Sequence, residues 1–86
     1  ATPAPPVVVP YITPGVGSFK DAAGNTYTIS RTGDAQVNGA AIPGGGGTSA
    51  MSYYNNTVYG QDAASKAWYT WNGTTWTGPV TAPPVP

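Results

Sequence analysis

The sequence lacks the side chains that perform most enzyme chemistry. Its 86 residues include no His, no Cys, no Glu and no Leu, and the formal net charge is zero. The six charged residues are Lys20, Arg31, Lys66, Asp21, Asp34 and Asp62. General acids, nucleophiles and metal ligands are drawn mainly from the missing residue types. We therefore expect a protein that is not an enzyme, with no catalytic residue, no metal site and no cofactor.

Positive charge is too sparse and too scattered for a phosphate-rich partner. Nucleic-acid binding needs several clustered Lys or Arg side chains, whose contacts release counterions. The longest aliphatic run is Val7-Val8-Val9, far short of the roughly 20 apolar residues that span a bilayer. The sequence therefore predicts no nucleic-acid partner and no membrane partner.

Aliphatic side chains are also scarce, so aromatic residues must supply much of the core. Ile, Val and Phe together number twelve, against three Trp and six Tyr. Without Cys no disulfide can compensate for a small core. Aromatic rings bury large areas, and the twelve Thr residues favour strands. This composition predicts an all-β fold with an aromatic core.

Prolines concentrate at the two ends of the chain. Five of the ten lie in residues 1–14 and four in residues 79–86, which predicts extended arms at both ends. Between them, residues 15–78 are predicted to form a β domain. Pro43 and the four glycines that follow it are interpreted as a plain linker between two halves of that domain.

Turn signals divide the β domain into short hairpins. Residues 21–25 predict a loop that Asp21 caps, Asn38-Gly39 is a strong hairpin signal, and Asn55-Asn56 and Asn72-Gly73 repeat the pattern. No window has the spacing of an amphipathic helix. We therefore predict an antiparallel meander of about seven short strands, and leave open whether it forms a sandwich or an open barrel.

The last hairpin is the richest in aromatic side chains. A two-residue Asn72-Gly73 turn sets Trp71 opposite Thr74 and Tyr69 opposite Trp76, with Trp68 on the other face. Exposed aromatic rings can stack on sugar rings without any acid, base or metal. The candidate glycan-binding residues are Trp68, Tyr69, Trp71, Trp76 and Tyr54. The alternative is that all three Trp pack internally, since aliphatic residues are scarce.

The N-terminal arm carries apolar side chains that a neighbouring subunit could bury. An extended segment docks with little ordering cost. The candidate partner-docking residues are Val7, Val8, Val9, Tyr11 and Ile12. The alternative is that the Pro-rich ends are linkers to other domains.

Residues 17–29, 59–62 and 68–73 resemble small aromatic-rich β modules. Such modules occur on phage virion surfaces and in secreted bacterial proteins that act on polysaccharides. The phage resemblance implies a non-catalytic structural or decoration protein, at the capsid or tail surface, that docks on an assembly protein or on copies of itself. The secreted resemblance implies an extracellular carbohydrate-binding module for a neutral polysaccharide. We expect the first function and a virion-surface location, with the second as the alternative.

Overall fold

The computed structural model describes residues 10–84, which form an all-β protein as predicted. This part of the chain contains nine strands, rather than about seven. It contains no helix, and therefore no helix that could cross a bilayer. The strands are β1 (Tyr11–Ile12), β2 (Phe19–Lys20), β3 (Thr26–Ile29), β4 (Ala35–Val37), β5 (Ala40–Ala41), β6 (Thr48–Tyr54), β7 (Thr57–Asp62), β8 (Trp68–Trp71) and β9 (Trp76–Val80).

The strands form two antiparallel sheets. The first strand and the last four belong to the larger sheet, and the strands between them form the smaller one. The five-stranded sheet has the order β1-β6-β7-β8-β9 and the four-stranded sheet the order β2-β3-β4-β5. The pairing of β1 with β6 interrupts a simple meander. Tyr11 and Ile12, which we predicted to lie in an arm, therefore belong to a sheet, and Pro79 lies within β9. Val7, Val8 and Val9 lie outside the described residues.

Two of the predicted turns connect strands that pair directly with each other. Across Asn38-Gly39, Val37 pairs with Ala40. Both turn residues have positive φ, 52° and 84°, the backbone conformation that a two-residue hairpin of this type requires. Tyr54 and Thr57 likewise pair across Asn55-Asn56.

The predicted register of the aromatic hairpin is wrong by two residues. Trp71 pairs with Trp76, not with Thr74. The reason is that Asn72 Oδ1 accepts hydrogen bonds from the backbone N–H groups of Thr74 and Thr75, both at 2.8 Å, which opens a four-residue loop. A shift of two residues leaves every side chain on its face, so Trp71 and Trp76 still share one side of the sheet.

One cluster of buried side chains draws on both sheets. Its members are Ile12, Phe19, Tyr27, Ile29, Ala35, Ile42, Met51, Val58 and Trp71, with Val37, Tyr53 and Trp76 packed against them. Phe19 contacts the rings of Tyr27 and Tyr53, at centroid distances of 5.3 and 5.9 Å. Aromatic rings thus fill the space that the scarce aliphatic residues leave empty.

The loop between β2 and β3 is held by the carboxylate of Asp21. Its two oxygens accept four hydrogen bonds, from the backbone N–H groups of Ala23 and Asn25, the Asn25 side chain and the Tyr27 hydroxyl. Desolvation works to raise the pKa of Asp21, but these hydrogen bonds outweigh it and lower the pKa below its ordinary value. The carboxylate therefore caps the loop, as predicted.

Tyr27 makes stability fall at high pH. Burial, and then the hydrogen bond to Asp21, raise the pKa of Tyr27 from 10.0 to about 12. Between these values the unfolded chain loses the tyrosine proton while the folded chain keeps it, so folding weakens as pH rises. Chemical unfolding at pH 9 to 12 should show a decline of up to roughly 2 kcal/mol from this group. In Tyr27→Phe the decline over this range should be smaller by that amount. An equal decline in both proteins would contradict the assignment.

Candidate binding cleft

A cleft of about 410 Å³ opens beside the glycine-rich loop between β5 and β6. Its lining comes from that loop and from strands β6 to β9: Gly44, Gly46, Gly47, Thr48, Gly60, Gln61, Asp62, Tyr69 and Trp76. This volume lies within the range typical of small-molecule sites, roughly 300–1,000 Å³. The lining combines two aromatic rings with a carboxylate and an amide.

Trp76 is a rigidly held wall of the cleft. Its indole Nε1–H donates to the Pro43 carbonyl at 3.1 Å, which joins β9 to the loop. A Cβ atom at Gly60 would lie only 2.8 Å from Cη2 of Trp76. The ring of Trp71 packs 5.1 Å away at 48°. The indole is therefore fixed by a hydrogen bond, by a glycine seat and by a second ring.

The glycine-rich loop is a structured element, not the plain linker that we predicted. Gly45 is buried, and its carbonyl accepts hydrogen bonds from the backbone N–H of Ala35 at 3.0 Å and from Thr48 Oγ1 at 2.6 Å. A Cβ at Gly45 would lie 2.9 Å from the Cβ of Ala35. Glycine is required because the loop backbone packs directly against β4.

Asp62 lines the cleft and carries an ionised carboxylate. Its Oδ2 accepts hydrogen bonds from the Ser65 hydroxyl at 2.8 Å and the Ser65 backbone N–H at 2.9 Å. These two bonds, with a smaller contribution from the charge of Lys66, hold the pKa of Asp62 below its ordinary value despite some desolvation. The carboxylate is therefore both oriented and charged at neutral pH.

The structure separates the predicted glycan-binding residues. Tyr69 and Trp76 line the cleft together. Trp68 and Trp71 are only 7% and 9% exposed, so their burial removes them from the rings on which a ligand could stack. Trp71 belongs to the cluster of buried side chains, and Trp68 is buried outside that cluster. Tyr54 is exposed at the far end of the β6–β7 hairpin and does not line the cleft.

Of the predicted partner-docking residues, the structure describes Tyr11 and Ile12, which differ in exposure. Ile12 is buried in the core of its own chain, so its side chain is not available to a partner. Tyr11 is 41% exposed on β1, which lies at an edge of its sheet.

Sequence reasoning missed several walls of this cleft, namely Gly60, Gln61, Asp62 and the loop glycines. Asp62 lies at the start of a turn, where its Oδ2 accepts hydrogen bonds from Ser65, and no local sequence pattern indicates that it also lines a cleft. A usable signal was Gly60, since a glycine inside a strand indicates close approach by another group.

No family model, no curated protein and no solved structure matches this chain. Functional inference therefore depends on the chemistry of the cleft.

Replacing Gly60 with alanine should displace Trp76. The added methyl group cannot share the space of the indole, so we expect a loss of about 1–3 kcal/mol of stability and a red shift of tryptophan emission. Gly46→Ala is the matched control, because a Cβ there meets only Asp34 Oδ1 at 3.5 Å. If both variants had the same stability and emission, the claim that the Trp76 indole packs directly on Gly60 would be wrong.

Proposed function

We propose that this protein is a non-catalytic binding module that holds a neutral saccharide in the cleft beside Trp76. The observation that carries the proposal is the pairing of two aromatic rings, Trp76 and Tyr69, with the carboxylate of Asp62 in one cleft. Sugars present apolar C–H faces and a rim of hydroxyl groups. Rings can pack against the first, and a carboxylate accepts hydrogen bonds from the second.

The rigidity of the site supports this proposal. An indole that is already fixed loses little conformational entropy when a ligand binds against it. The hydrogen bond to Pro43 and the Gly60 seat hold Trp76 before any ligand arrives. The site also needs no metal or cofactor, in keeping with a sequence so poor in reactive side chains.

A panel of neutral oligosaccharides with different linkages tests the proposal. Isothermal titration calorimetry should find binding for at least one member, and Trp76→Ala should weaken it at least about tenfold, because the ring supplies the main apolar contact. Tyr54→Ala is the matched control, since it removes an exposed ring outside the cleft and should leave affinity unchanged.

Circular dichroism must show that Trp76→Ala remains folded. Tyr69→Phe serves as a milder probe, because it keeps the ring and removes only its hydroxyl group. No binding by any panel member, or equal losses in Trp76→Ala and Tyr54→Ala, would reject the proposal.

As a second candidate, we propose a structural or decoration subunit of a phage virion that docks through its N-terminal arm. The supporting observation is that, within residues 10–84, two of the three large exposed apolar side chains lie near this end: Tyr11 is 41% exposed and Val16 64%. In this proposal the two sheets form a small sandwich, and the Pro-rich ends are extended arms. Val7, Val8 and Val9 would add to the apolar surface.

Removing residues 1–9 tests the second candidate without removing β1. Sedimentation velocity should show that the full chain assembles with itself or with purified capsid or tail particles, and that the truncated chain does not. Tyr11→Ser in the full chain should weaken assembly about tenfold. A monomeric full chain that binds no particle, or a truncated chain that assembles equally well, would eliminate this candidate.

A further inference from the structure

Most polar groups of the cleft already have partners within the protein. Gln61 accepts from the Ser49 hydroxyl at 3.1 Å and donates to the Lys66 carbonyl at 3.1 Å. Thr48 and Trp76 donate to carbonyls of the glycine-rich loop and of Pro43. These side chains build the walls, and their main hydrogen-bonding groups are already engaged.

Two lining side chains keep free capacity: within residues 10–84 the Tyr69 hydroxyl makes no hydrogen bond, and only one of the two Asp62 oxygens accepts any. Oδ2 takes both bonds from Ser65. Among residues 10–84, no donor forms a hydrogen bond with Oδ1. Ser65 thus fixes the carboxylate, while the second oxygen keeps its capacity to accept hydrogen bonds.

The cleft also has no opposing positive charge in its lining. None of the lining residues is Lys or Arg. The Lys66 charge is near enough to affect Asp62, but Lys66 is not part of the lining. A ligand therefore meets one negative charge beside two aromatic rings.

We infer that Asp62 is the specificity-determining residue of the cleft: Oδ1 accepts a hydrogen bond from a hydroxyl or ammonium group of the saccharide and excludes saccharides that carry carboxylate, sulfate or phosphate groups. The inference rests on the proposed saccharide binding. A hydroxyl group can donate to Oδ1, whereas an ionised acid cannot donate and is repelled. An ammonium group also suits the neighbouring rings, because their faces attract cations.

A glycan array with neutral, amino and uronic acid members of the same linkages provides the test, for example β-1,4-linked glucose, glucosamine and glucuronic acid. For the linkage that binds best, the wild-type protein should bind the uronic acid form at least about tenfold more weakly than the neutral form. The amino form should bind at least as well as the neutral form. In Asp62→Asn the difference between neutral and uronic acid forms should shrink to about threefold or less, since the amide still accepts a hydrogen bond but has no charge.

Asp34→Asn is the matched control. It makes the same change in net charge at a residue outside the cleft lining, so it should keep the wild-type ranking. If the wild-type protein binds no glycan, the proposed function fails. If it binds glycans but prefers the uronic acid form, or if Asp62→Asn and Asp34→Asn give the same ranking, only the role of Asp62 is overturned.

Discussion

The hydrogen bond from Trp76 Nε1 to the carbonyl of Pro43 joins the last strand to the loop that connects β5 of one sheet to β6 of the other. Around this contact the other constraints of the cleft are arranged. Gly60 must lack a side chain for the indole to sit on β7, and Gly44 approaches the indole from the loop, where a Cβ would lie 3.2 Å from Cδ1 of Trp76. One aromatic ring therefore completes the core on one side and forms a wall of the cleft on the other.

The scarcity of aliphatic residues explains why aromatic rings have both roles. Phe19 and Tyr27 of the four-stranded sheet pack with Tyr53 of the five-stranded sheet, and Trp71 packs with Trp76. The hydroxyl groups of the tyrosines and the indole N–H groups then need hydrogen-bond partners. Tyr27 donates to Asp21, and Tyr53 accepts from the backbone N–H of Ala22 at 3.0 Å. The same hydroxyl groups that would be costly to bury unpaired tie the β2–β3 loop to both sheets.

Local sequence signals predicted the local structure well, because a turn such as Asn38-Gly39 determines which residues pair across it. They could not predict that β1 returns to pair with β6, since this contact joins distant parts of the chain. The loop after Trp71 was mispredicted because Asn72 bonds two backbone N–H groups and lengthens the turn. Tyr69 and Trp76 were identified as candidate residues, but Asp62 and the glycine-rich loop meet them only in the folded chain.

Occupation of the cleft beside Trp76 by a saccharide can be observed residue by residue in solution. The most direct test is an ¹⁵N–¹H correlation titration with the oligosaccharide that binds most tightly. If the saccharide binds in the cleft, we expect shifts of the Trp76 indole N–H and of the backbone amides of Gly44, Gly46, Gly47 and Asp62, with little change at Tyr11 and Tyr54. Shifts confined to Tyr11 and its neighbours, with the Trp76 indole unaffected, would contradict it.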